Sequence, residues 1–158
     1  MLKWLKSLVG GKSEADQVSA EWKLIRELAP MLAEMLVLPI RAARKTPATL
    51  FAEQPAFACG YVVGLADVMS QSAGGDPGRN LSQNLALRLM IELLGQKEAD
   101  EMWPHLTNYM ASDSPEFEQG MSIGGQDGNC MSNKGLPRNL GEHLGLKVPG
   151  TMTGRGDR

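Results

Sequence analysis

One pattern, P-x-F-x-x-G-x-x-x-G-x-x-D, occurs twice in the chain: from Pro55 as PAFACGYVVGLAD and, 60 residues later, from Pro115 as PEFEQGMSIGGQD. The likeness runs on, with small gaps, through MSQSAGGDPGRNLSQNLAL and MSNKGLPRNLGEHLGL, which share Met-Ser, Arg-Asn-Leu and two further leucines. A helix–loop–helix unit is therefore expected twice, at about 55–87 and 115–146, with the copies facing each other across an approximate twofold.

Within each copy the phenylalanine (Phe57, Phe117) and both glycines are expected on a helix. Gly60 and Gly64 are four apart, as are Gly120 and Gly124, so each pair makes a smooth strip on one helix face. Glycine costs about 1 kcal/mol per helical position relative to alanine, so two aligned pairs ask for a packing reason. The reason expected here is a close crossing of the two helices, glycine strip against glycine strip, with Phe57 and Tyr61 packing into the core.

Asp67 and Asp127 follow the second glycine of each copy by three residues, towards a helix C-terminus that disfavours a carboxylate. Each needs a compensating partner. The repeat offers Arg79-Asn80 and Arg138-Asn139. The simplest expectation is an Asp to Arg pair, or an Asp to backbone hydrogen bond, tying the following loop to the helix end. The functional alternative is a polar binding pocket on the twofold lined by Asp67, Asp127, Arg79 and Arg138, with Asn80 and Asn139 beside it. GGQDGNCMSNKG, residues 124–135, is rich in helix breakers and is expected as a loop.

The rest of the chain reads as helix. Val18, Trp22, Ile25, Leu28, Leu32 and Met35 recur at three and four, and Leu24, Met31 and Leu38 widen that stripe. This long helix is expected to be covered on more than one side, to kink at Pro30, and to end or bend a second time at Pro39. Ser13 with Asp16 resembles a capping box at its start. Thr46-Pro47 and Ser114-Pro115 have the form of an N-cap followed by proline at the first helical position. Asn80 is expected to cap a helix ending at Gly95, and a further helix runs from Lys97 to about Met110. No sustained period-two run of β-branched residues occurs. The expected fold is all-α, a compact bundle of about six helices over residues 13–146, preceded by a short amphipathic segment (1–12) and followed by a flexible tail (147–158).

Composition narrows the function. A net charge of -2 and a pI near 5.7 lack the basic footprint that nucleic-acid binding needs. Two cysteines, Cys59 and Cys130, form neither C-x-x-C spacing nor a disulfide framework, which points to a reducing cytoplasm. No apolar run approaches the ~18 residues of a membrane span. Leu2, Trp4, Leu5, Leu8 and Val9, with Lys3 and Lys6, form one face of a short helix over residues 2–9, suited to docking on protein or to weak contact with a membrane surface. GGKS at residues 10–13 is only the tail of a phosphate loop and has no strand before it.

Cys130 with His105 or His143 and Asp127 contains the residue types of a nucleophile triad, but their spacing does not support one. Neither histidine has a second ligand at zinc spacing. No catalytic residues, metal or cofactor are therefore assigned. Met31, Met35, Met69, Met90, Met102 and Met110 are expected to fill the core. A non-enzymatic protein-binding, adaptor or immunity-type module, acting on a partner or as a homodimer, is the function this pattern favours. A small-molecule-binding protein or enzyme using the polar pocket is the alternative.

Overall fold

The structure, a computed structural model, describes residues 14–74 and 80–146. The expectations for Ser13, for the 1–12 segment, for Arg79 and for the 147–158 tail lie outside the described residues. Among the described residues there are seven helices and no strand, one helix more than expected: α1 (Glu14–Ala42), α2 (Pro47–Glu53), α3 (Pro55–Ser72), α4 (Leu81–Leu94), α5 (Gln96–Ala111), α6 (Pro115–Ser132) and α7 (Arg138–His143). No described helix is long and apolar enough to cross a membrane.

Local chemistry sets most boundaries. The Thr46 and Ser114 hydroxyls accept from Thr49 N–H (3.1 Å) and Phe117 N–H (3.3 Å), with Pro47 and Pro115 at the first helical positions. Lys45 pairs with Glu53 alongside α2. α1 continues through Pro30 and Pro39 to Ala42. It stops at Arg44, whose φ of 59° lets Lys45 N–H reach back to the Ile40 carbonyl (3.0 Å). Lys134 (φ 65°) ends α6 in the same way. This is the left-handed stop usually given to glycine. Gly95 is both the end of α4 and the start of α5, and its φ of 92° with ψ of 162° is a conformation open essentially to glycine alone. Asn80 stands at the N-cap of α4, but its side chain makes no capping hydrogen bond there, contrary to expectation.

α3 is the centre. It packs along α6 and also against α2, α4 and α5, while α1 lies mainly on α4. Phe57, Tyr61, Val62, Leu65 and Met69 of α3 join Ile25, Leu32 and Leu36 of α1 and Leu85, Leu89 and Met90 of α4 in one buried core.

α3 and α6 run in the same direction, with contacts stepping from Phe57 to Val68 on one and from Phe117 to Gly128 on the other. A Cβ on Gly60 would drive into the Phe117 carbonyl oxygen, and one on Gly64 into that of Met121. Conversely, a Cβ on Gly120 would strike the Phe57 carbonyl and one on Gly124 the Tyr61 carbonyl. Where the side chain would be, glycine carries a hydrogen aimed at a carbonyl, the geometry of weak Cα–H···O contacts at close crossings. Phe57 and Phe117 are both buried at the start of this contact.

The expected loop at 124–135 is corrected: α6 continues through Gly124, Gly125, Asp127 and Gly128 to Ser132. Gly124 and Gly128 are buried against α3, so packing overrides their poor propensity. Gly125 is different, since its Cβ would meet nothing nearer than Val68 Cγ2 at 3.7 Å. Gly125→Ala should therefore stabilise the protein by about 0.4–1 kcal/mol. Gly124→Ala should cost at least about 3 kcal/mol or abolish folding, because two backbones must separate. Urea unfolding of the two variants beside the parent checks both signs.

Candidate functional site

The most specific polar arrangement is built on Asp127, which is 0% exposed on the buried side of α6. Four hydrogen bonds reach its carboxylate. Tyr61 Oη–H donates to Oδ2 (2.8 Å) across the α3–α6 crossing. Asn139 donates twice to Oδ1, from its backbone N–H and from Nδ2 (2.9 Å each). Leu140 N–H donates to Oδ2 (2.9 Å). The backbone donors belong to the first turn of α7, where the N-cap residue is Pro137 and has no side-chain acceptor. Asp127 supplies from a distance the cap that α7 cannot supply for itself. No buried side-chain nitrogen or oxygen among the described residues lacks a partner.

The far end of α7 is held by His143. Its ring stacks on Phe57 (centroids 3.8 Å apart, planes at 11°), and Nε2 lies 2.8 Å from Gln54 Oε1 at the α2–α3 junction. α7 is thus clasped at both ends, by α6 through Asp127 and by α3 through Phe57.

Ionisation follows burial. The Tyr61 hydroxyl is pushed well above its ordinary value, first by burial and then by the Asp127 charge and hydrogen bond. Burial raises the Cys59 thiol to about 12, so it is a packing residue with almost no thiolate at neutral pH. Burial lowers His143 below 6.5.

The expected binding residues do not share one environment. Asp127 and Asn139 meet. Asp67 is exposed and accepts from Gln71 Nε2 (3.0 Å) on its own helix, while Arg138 is also exposed. Asn80 lines a separate groove between α3, α4 and α5 with Trp103 and Met110. The two aspartates differ in their neighbours: Asp127 has Tyr61 across the crossing, whereas the position 60 residues after Tyr61 is Met121, which has no hydroxyl to offer Asp67. That Tyr/Met difference was the available signal for the Tyr61–Asp127 bond. The Gln54–His143–Phe57 cluster had none, because its members are far apart in the chain and of common types. His143 is turned to Gln54 and His105 is exposed. Among the described residues no group of three or more His, Cys, Asp or Glu is placed to hold a metal ion. Comparison with known proteins returns no match among family models, curated proteins or solved structures.

Tyr61→Phe should lower stability by about 1–3 kcal/mol, because one donor to a buried carboxylate is lost. Asp127→Ala should cost more, since it strands the Tyr61 hydroxyl and two backbone N–H groups of α7 together. Chemical denaturation of both variants tests that order. The lowered His143 value makes a second prediction, about pH. The unfolded chain binds this proton more readily, so its contribution to stability is complete above pH 6.5 and is lost as pH falls through the lowered folded value. His143→Phe, which keeps a stacked ring, should flatten that slope in unfolding curves compared with the parent protein.

Proposed function

We propose that the chain is a non-enzymatic protein-binding module of the adaptor or immunity type, with the outer side of α1 as its docking face. The observation that carries this is the exposure of large apolar side chains on that side: Met31 is 47% and Leu38 65% exposed. On the opposite, core-facing side of α1, Val18 (44% exposed) and Trp22 (48%) continue the stripe of the buried Ile25 and Ala29 past the core and are not part of this face. The expectation that Met31 and Leu38 are covered by the chain itself is corrected by their exposure, as is that of an internal Met110. Beside Met35 and Leu38 lies a groove of about 640 Å³, floored by Pro30, Ala33 and Val37 and edged by Glu34, Arg41 and Glu92. An apolar centre with a charged rim is the anatomy of a protein interface.

The scaffold behind that face is read as two copies of one unit, 55–87 and 115–146, about an approximate twofold. Support comes from the reciprocal seating of Gly60 on Phe117, Gly120 on Phe57, Gly64 on Met121 and Gly124 on Tyr61. The alternative, a small-molecule pocket on that axis, has less support because the Asp127 carboxylate is enclosed and already engaged.

A photo-crosslinking amino acid at Leu38 should give an adduct of discrete mass in living cells. The same group at Gln119, exposed on the outer face of α6, should not. No adduct from either Leu38 or Met31 would sink the docking reading.

A further inference from the structure

The apolar residues on the outer side of α1 keep a register of their own. Leu24, Leu28, Met31, Met35 and Leu38 alternate at spacings of four and three, the a/d repeat of a helix–helix seam. Leu24 is covered by the chain's own core, Leu28 and Met35 are half-buried, and Met31 and Leu38 are open. On one flank of the seam Ile25 and Leu32 turn into the core. On the other, Glu27, Glu34 and Arg41 follow one another at seven-residue intervals, all exposed.

We infer that the occupant of this face is a second copy of the chain, with the two α1 helices laid antiparallel about a twofold axis at Glu34. The inference rests on the reading of α1 as the docking face, and the charges together with the overlap of the apolar seam select the arrangement. An antiparallel pair brings the solvent-side flanks of both seams together. Stacking Leu28 on Leu38 of the second copy, and Met31 on its Met35, places Glu27 beside its Arg41. Symmetry repeats that ion pair. The remaining flanking contact is Glu34 against Glu34, solvent-exposed and therefore screened. Shifting the pairing by one heptad towards the N-terminus sets Glu27 against Glu34 twice, two like-charge contacts and no attractive one. Shifting it towards the C-terminus sets Glu34 against Arg41 twice but places Met31 opposite Ala42, the last residue of α1, and Leu28 beyond the helix end. A parallel pair sets the charged flank against Ile25 and Leu32, which are buried and carry no charge. Among these arrangements, only the antiparallel one centred on Glu34 pairs all four of Leu28, Met31, Met35 and Leu38 and also joins opposite charges.

Sedimentation velocity of the full chain from about 1 to about 500 μM, the range in which a small interface dissociates, should show a monomer–dimer equilibrium. Arg41→Glu should weaken it about tenfold, and adding Glu27→Arg should restore it. Glu34→Gln should tighten it, whereas Leu38→Asp should leave a monomer. All four side chains are exposed, so the variants are expected to stay folded, as far-ultraviolet circular dichroism checks. In a Cys130→Ser background, Glu34→Cys should form a disulfide-linked dimer on oxidation. Glu27→Cys should not do so without Arg41→Cys. A monomer at every concentration, a dimer indifferent to Leu38→Asp, or a charge exchange that fails to rescue overturns the inference. The crosslinker at Leu38 separates the two failures: an adduct to a different protein removes the dimer and keeps the docking face, and no adduct removes both.

Discussion

Contact between the α3 and α6 backbones is the constraint on which the rest of the protein depends. Four glycines let two parallel helices approach until carbonyl oxygens occupy the space that side chains would need. Parallel neighbours cannot be joined by a tight turn. The chain must therefore spend α4 and α5 on the return path, and those helices cover α3 as they make it. The low helix propensity of glycine is offset by dispersion across a long, close contact, which is why GGQDGN stays helical here.

That crossing also decides which polar groups become buried. It carries Asp127 away from water and brings Tyr61 within hydrogen-bonding reach of it. A buried carboxylate is tolerable only when its oxygens are satisfied, and the remaining donors come from the first turn of α7. The arrangement is reciprocal in effect. Asp127 caps a six-residue helix too short to be stable by itself, and that helix returns His143 to stack on Phe57 at the start of α3. The polar centre is thus a fastening between elements distant in the chain, with no solvent-accessible atom on Asp127 to present to a ligand.

α1 stands apart from this economy. Ile25, Ala29, Leu32 and Leu36 bury one side of it. Its second apolar register is left about half exposed at Met31 and more than half at Leu38. Asp127 and α1 therefore suit different tasks. One is internal and fully satisfied; the other is external and apolar with charged edges, and it is there that the proposed function and the proposed self-association are located.

The sequence by itself determined the helical class, the cap-and-proline starts at Thr46 and Ser114, and the glycine positions at which a close approach is sterically allowed. These follow from periodicity, fixed φ and the missing Cβ, all local properties. Only the tertiary structure decided that α6 runs through Gly128, that Asp127 is enclosed while Asp67 faces water, and that Met31 and Leu38 are left exposed. The reason is physical. Propensity and pattern are summed over neighbours in the chain, whereas burial, carboxylate partners and the unpaired face of a helix depend on groups brought together from 12 to 89 residues apart.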